Sequence, residues 1–241
     1  MRIVSCVPSI SELVAFFDAS QLVGRTKFCT DPGLISKVTI VGGTRNLNPV
    51  AIRSLHPDII LAVKEENQKD QIKELMEEFR VIVFEVKTVL DALQMISAIG
   101  KIMNREELAS GLVRDIQTGF AKLDFKRKIP VLYLIWDNPA MTIGGDTFIH
   151  HMLSIAGFQN VFEGQNRYPL VDLEKDLPEE PKIIILSSEP YPFQEKHLSR
   201  FRKYFPKSNI LLADGAMFSW YGNRMALFPD FVLNFRRLNG F

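Results

Sequence analysis

The sequence predicts an α/β protein of two lobes, each a small, mainly parallel sheet flanked by helices, bridged by one long α-helix. Short apolar runs bounded by Gly, Pro, Asn or Asp alternate with amphipathic stretches up to residue 103, and the same alternation restarts after residue 126. Between them, Asn104 and Glu107 have the spacing of a capping box, and Leu108, Leu112, Ile116, Phe120 and Leu123 fall on one helical face. At ~1.5 Å per residue that helix spans roughly 33 Å, the width of a small domain. No Gly/Ser-rich linker or short repeat interrupts the chain. The expected division is a lobe at 1–103, a bridging helix at 104–126 and a second lobe at 127–241. Gly111 and Gly119 weigh mildly against an unbroken strut and leave open an ordinary crossover helix in one continuous sheet.

Residues 2–6 read as an apolar strand ending at Pro8-Ser9, and Ser9 with Glu12 forms a capping box for a helix through Phe17. A second strand at Leu22–Gly24 leads to Phe28-Cys29, and Asp31-Pro32-Gly33 marks a turn. A third strand, Val38–Val41, breaks at Gly42-Gly43-Thr44, which lacks the spacing of a phosphate loop and reads as a tight turn. Helix Pro49–Leu55, buried strand Ile59–Val63, helix Asn67–Phe79, strand Val81–Val86 and helix Thr88–Met103 complete the lobe. The second lobe repeats the pattern: strand Val131–Trp136, helix Thr147–Gly157, strand Ile183–Ser187, helix Phe193–Tyr204, strand Ile210–Ala213, and a last helix from about Arg224 to Leu238.

Composition excludes several functions. The 241 residues are 46% hydrophobic and 24% charged, the balance of a globular protein with a real core. With 29 basic against 28 acidic residues the net charge is +1, so no global field attracts nucleic acid or an anionic membrane. The longest apolar run, Ile129–Trp136, is too short to span a bilayer, so membrane insertion is not expected. The chain opens on a strand without a charged and apolar leader, so as read it is cytoplasmic; it is periplasmic if Met1 replaces a removed leader. Cys6 and Cys29 have no CxxC spacing and read as two free thiols unless neighbouring strands bring them together. No metal site is expected. His150-His151 are adjacent and diverge, and His197 reads as part of a solvated helix face with Lys196 and Arg200.

Ligands of open parallel sheets bind beyond the carboxyl ends of the strands, where loop amides and helix N-termini converge. In the first lobe that collects Pro8-Ser9, Phe28-Cys29, Gly42–Thr44 and Glu65–Asn67. In the second it collects Trp136-Asp137, Ser187–Tyr191, Asp214 and Ser219–Arg224, joined by the loop Arg167-Tyr168. Both tryptophans of the chain are in this second set, and aromatic faces beside Arg, Asp and Glu suit a flat, partly polar organic ligand. Trp136 has the alternative of being core, and Arg224 with Asp214 that of being a structural ion pair. Ser187 or Ser188 with His197 and Asp214 supplies the residue types of a hydrolase, but the serines lack a GxSxG elbow. No catalytic residue is assigned.

These residues resemble a known family. Arg2–Leu13, Phe28–Pro32, Val41–Thr44 and Asn48–Ile60 are similar to the most recognisable segments of the cobalamin and iron-siderophore substrate-binding proteins of ABC importers, the helical-backbone metal receptors. The likeness continues through the bridging helix into Ile143–Phe162 and Pro181–Leu186 and is nearest to the cobalamin-binding branch. It implies two α/β lobes joined by one long helix, a small-molecule ligand held between lobes, a monomer, and an ABC permease as partner.

Carried over by position, the resemblance places Phe28, Thr44, Trp136 and Trp220 at the ligand, with Tyr168 beside them. The segments Ser187–Phe193 and Asp214–Arg224 look like those of a distinct subgroup, adding Glu189, Tyr191, Asp214, Tyr221 and Arg224. Glu174 falls where the family's second lobe carries a permease-docking glutamate, whereas Val50 stands at the first-lobe position; no tryptophan accompanies Thr44-Arg45, where cobalamin receptors carry one. The implied protein is not an enzyme and has no built-in cofactor; its ligand is a cobalamin-like corrinoid or a metal chelate such as a ferric siderophore. The alternative is a cytoplasmic enzyme or ligand-binding protein of the same fold acting on a cofactor-like molecule. A third reading is a protein-interaction module.

Overall fold

A computed structural model describes residues 1–241 except Thr30, Asp31, Pro32 and Leu34. The turn expected at Asp31-Pro32 and part of the Phe28–Pro32 likeness therefore lie outside the described residues. The chain forms two compact units of mixed α/β structure. The first comprises residues 1–86, 90–116 and 221–224, and the second residues 87–89, 117–220 and 225–241.

In the first unit the strands are β1 (Ile3–Ser5), β2 (Leu22–Arg25), β3 (Thr39–Ile40), β4 (Gly42–Gly43), β5 (Asn46–Leu47), β6 (Ile59–Val63) and β7 (Val81–Phe84). A parallel sheet runs β3-β2-β1-β6-β7, with Ile3 opposite Ile59 and Leu22. The strand expected at Val38–Val41 is split: Thr39–Ile40 joins this sheet, while Gly42–Gly43 turns into a small antiparallel hairpin with Asn46–Leu47. Helices α1 (Pro8–Asp18), α2 (Pro49–Ser54), α3 (Lys69–Met76) and α4 (Val89–Ile102) surround the sheet segments in sequence. Val4, Val41, Ile52, Ile60, Ala62, Ile72 and Leu75 close one core.

Two sequence expectations about caps are corrected. Helix α1 starts one residue before Ser9, with Val7 at the N-cap and no side-chain cap, so there is no Ser9–Glu12 capping box. Asn104 does not open the long helix; it closes α4. Its φ of 55° is left-handed, its amide donates to the Lys101 carbonyl, and the Arg105 amide donates to that of Gly100 at 2.7 Å. Those two bonds are a Schellman termination, in which Asn is tolerated at the left-handed position. The following helix, α5, accordingly runs Glu106–Phe120, fifteen residues rather than 104–126. Its buried face is Ala109, Leu112 and Ile116, and Leu108 is half exposed. The helix belongs to the first unit up to Ile116 and to the second from Gln117.

The second unit carries β8 (Ile129–Leu134), α6 (Phe148–Ile155), β9 (Phe158–Asn160), β10 (Ile183–Ser187), α7 (Glu195–Tyr204), β11 (Asn209–Ala213), α8 (Gly215–Ser219) and α9 (Phe228–Leu238). All four strands are parallel in the order β11-β10-β8-β9. The last helix starts at Phe228 rather than near Arg224, because residues 223–227 form a 3-10 turn. Helix α6 is capped by Thr147, whose hydroxyl accepts from the His150 amide at 3.2 Å. Leu132, Leu134, Ile184, Leu186, Phe193, Phe201 and Phe205 form a core on one side of the sheet.

Candidate ligand-binding site

Strands β8, β10 and β11 of the second unit lie side by side and parallel, so the loops leaving their carboxyl ends converge on one edge. Trp136 follows β8. It is 40% exposed, which removes the alternative of a core tryptophan. Its ring meets Tyr191 edge-on at 5.5 Å, and Tyr191 meets Phe193 at 4.7 Å and the His197 imidazole at 5.5 Å. Such edge-to-face pairs suit the ring quadrupoles and hold each plane at a defined angle. The Tyr191 hydroxyl lies 3.3 Å from His197 Nε2, while His197 Nδ1 accepts from the Gln194 amide at 2.9 Å and completes a capping box for α7. His197 is therefore a half-buried brace for Tyr191 rather than part of a solvated face. Beside it, Arg200 donates to Asp137 Oδ1 at 2.6 Å, so the acid following Trp136 is neutralised within the unit.

The loop after β10 is organised by hydroxyls. Buried Tyr133 donates to Ser187 Oγ at 3.1 Å, and Ser187 in turn donates to the Glu189 carbonyl at 2.6 Å. Burial pushes the Tyr133 phenol well above its ordinary pKa, keeping it a neutral donor. Glu189 Oε1 accepts from Ser219 Oγ at 2.6 Å and from the Trp220 indole at 2.7 Å. Gly215 permits this close approach: a Cβ there would stand 2.3 Å from Ser187 Oγ and 2.6 Å from Glu189 Cγ. Asp214 caps α8, accepting from the Ala216 amide at 3.0 Å.

On the first unit, Phe28 is 50% exposed, packs over Gly43 and carries Lys27 Nζ 5.1 Å from its ring centroid. The carbonyl of Thr44 accepts from Asn67 Nδ2 at 3.0 Å; the same amide nitrogen reaches the Cys6 carbonyl at 3.0 Å, and Asn67 Oδ1 accepts from Val63 at 2.9 Å. Asn67 thus ties the ends of β1 and β6 to the β4–β5 turn. Tyr221 donates to Glu66, and Asn223 and Arg224 both bond Glu12.

The residues picked from sequence sort into three sets. Trp136, Glu189, Tyr191, Asp214 and Trp220 gather in the second unit, where Tyr168 also lies, half-buried, in the loop after β9. Phe28, Thr44, Tyr221 and Arg224 belong to the first. Glu174 is exposed in the second unit, its amide held by Asp172 Oδ1 at 3.0 Å. Arg224, suggested as a partner of Asp214, pairs with Glu12 at 2.8 Å, and Asp214 is a helix cap. The serines do not form a nucleophile–base pair. Ser187 faces Tyr133 and the Glu189 carbonyl, Ser188 accepts from the Gly215 amide at 3.0 Å, and His197 is bonded to Gln194 and Tyr191. Glu66, Asn67 and Ser219 lie in strand-end segments that the sequence collects but have no role of their own there, and Glu12 is not among them. Asn67, a buried amide four residues past a buried strand, carried a readable signal; the Glu12 pairing spans 212 positions and carried none.

Cys6 and Cys29 are free thiols, and burial pushes that of Cys6 up to about 12. Among the described residues no group of three or more His, Cys, Asp or Glu is arranged to hold a metal ion, and no helix is long and apolar enough to cross a membrane.

Carboxyl edges that offer exposed rings and braced polar groups are the kind of surface on which binding proteins hold small molecules. The comparisons give the family. A family model described as periplasmic binding protein matches residues 3–208, and the chain belongs to that family, the substrate-binding proteins of ABC importers of class III; these are not enzymes. A vitamin B12-binding protein of Vibrio vulnificus is 23% identical over 193 residues, covering 77% of this chain and 71% of its own length. That of Salmonella typhimurium is 24% identical, covering 78% and 73%. Among solved structures, the periplasmic vitamin B12 binding protein BtuF of Vibrio cholerae superposes with a TM-score of 0.79 at 18% identity, over 98% of this chain and 96% of that one. The periplasmic haem-binding protein HutB of Vibrio cholerae gives 0.81 at 21% identity, over 100% and 99%. These structures share the fold.

Proposed function

We propose that this substrate-binding protein captures a flat metal tetrapyrrole, a cobalamin-like corrinoid or a haem, and delivers it to an ABC permease. The observation that carries the reading is Trp136: a large ring left 40% exposed at the carboxyl edge of the sheet, yet met edge-on by Tyr191, which Phe193 and His197 brace in turn. A preformed aromatic wall loses little freedom when a planar ligand stacks on it. Support for the ligand class comes from relatives that bind vitamin B12 and fold neighbours that bind haem. Phe28, Thr44, Tyr168, Glu189, Tyr191, Asp214, Trp220, Tyr221 and Arg224 remain the residues proposed to line or support the site. The metal arrives inside the ligand, and no cofactor is resident. Exposed Glu174 is the proposed contact with the permease, a role that requires a location outside the cytoplasmic membrane; fractionation of the native cells tests that location.

The test is titration of the purified protein with cobalamin, cobinamide, hemin and a ferric siderophore, followed by absorbance and thermal shift. A ligand at a hundred times its dissociation constant adds about 2.7 kcal/mol to the folded state, so the melting temperature should rise by several degrees with a tetrapyrrole. Trp136→Ala should weaken that binding about tenfold, about 1.4 kcal/mol, without moving the melting point of the free protein. Saturable binding of the siderophore alone would replace the tetrapyrrole, and no binding of any probe would overturn the reading.

A further inference from the structure

We propose that Glu12 and Glu66 are positioning residues for Trp220, acting through a strap made by Tyr221–Arg224; the inference rests on reading Trp220 as a ligand-site residue. The chain belongs to the second unit up to Trp220 and again from Met225, and the four residues between belong to the first. Each end of that four-residue strap is tied by a carboxylate remote in sequence. The Tyr221 hydroxyl donates to Glu66, 155 residues earlier. Asn223 Nδ2 donates to Glu12 Oε1 at 2.9 Å, and Arg224 Nε donates to both Glu12 oxygens at 3.0 and 2.8 Å.

These ties are built into the structure rather than laid on its surface. Tyr221 is 4% exposed, and the side chains of the Arg224–Glu12 pair are 24% and 14% exposed, so solvent screens the pair less than an ordinary surface ion pair. At Gly222 the backbone has a φ of 121° and passes the Ser9 carbonyl and Leu13, a conformation that side-chain-bearing residues rarely adopt. Trp220 is one peptide bond upstream. Its indole donates to Glu189 at 2.7 Å and its amide to the Ala216 carbonyl at 3.0 Å, and the residue that follows it is the first of the strap. Without the strap, residues 221–224 must be ordered when ligand binds, and affinity falls by that entropy.

The test compares the intact protein with Glu12→Gln, Glu66→Gln and the charge swap Glu12→Arg/Arg224→Glu, each with Trp136→Phe added so that Trp220 is the sole tryptophan. Hydrogen exchange at the amides of 220–224 should accelerate at least tenfold in Glu12→Gln while β1 and β6 stay protected, and Trp220 emission should shift to the red. The swap should restore both. Unchanged exchange and emission, or acceleration spread evenly over the first unit, overturns the strap. The affinity arm uses hemin and cobinamide with the two tryptophans kept: a threefold to tenfold loss in Glu12→Gln supports the positioning role, and equal affinity despite a loosened strap refutes it. If neither probe binds the unaltered protein, the ligand reading fails, and the exchange and emission results still decide whether Glu12 and Glu66 hold Trp220.

Discussion

The two units are built from one grammar and use their strand ends differently. In the first, the polar groups beyond the sheet tie the chain to itself: Asn67 joins the ends of β1 and β6 to Thr44, and Glu12 and Glu66 hold the segment 221–224. In the second, the polar groups brace aromatic rings: His197 behind Tyr191, Tyr191 against Trp136, Glu189 on the Trp220 indole. The difference teaches that a shared βα pattern fixes where a site can lie, while the identity of the loop residues decides whether an edge is spent on anchoring or on presenting a surface.

That contrast can be broken in order of expected effect. Phe201 is fully buried in the second unit's core. Phe201→Ala should destabilise the protein by about 3–5 kcal/mol through lost packing and the cavity left behind, read as a lower urea midpoint, while leaving the anchoring network of the first unit unaltered. Asn67→Ala should cost about 2–4 kcal/mol, because it leaves the Cys6 and Thr44 carbonyls and the Val63 amide without their partner. A cost near zero there would mean that the first unit's edge is not held by this amide.

The smallest effect is on pH dependence. Burial holds the pKa of His150 below its ordinary value, with Glu163 opposing the shift and Lys128 adding to it, and among the described residues its Nδ1 has no hydrogen-bond partner. The unfolded chain therefore takes up a proton near the ordinary histidine pKa while the folded one resists. This contribution is fully present above about pH 6.5 and is lost as the pH falls below it. The urea midpoint should drop between pH 7 and pH 5.5, and His150→Gln should flatten that part of the profile; an unchanged slope would assign it to other groups.

Much of this fold is legible in the sequence because its strands are short, continuous apolar runs. Ile59–Val63 and Ile183–Ser187 are found at the residues expected, while the helix expected at Thr147–Gly157 runs Phe148–Ile155, with Thr147 as its cap. What escaped was short or dictated by distant contacts. Strand β9 is three residues long and α8 five, below any periodicity. Asn104 has a cap's chemistry at either end of a helix, and only the bonds of Asn104 and Arg105 back to Lys101 and Gly100 show which end it serves. In the site, Trp136 stood out as a large ring at the end of an apolar strand. Arg224 stands out equally, but sequence does not name its partner, because Glu12 on α1 also fits a capping box that does not form.

The decisive measurement is tryptophan-resolved quenching: Trp220→Phe leaves Trp136 as the sole emitter, and hemin or cobinamide is titrated in. If the second unit's edge is the recognition face, Trp136 emission should be quenched to saturation with the same dissociation constant that absorbance reports. A ligand that saturates by absorbance while leaving Trp136 emission untouched would place recognition elsewhere and contradict the account.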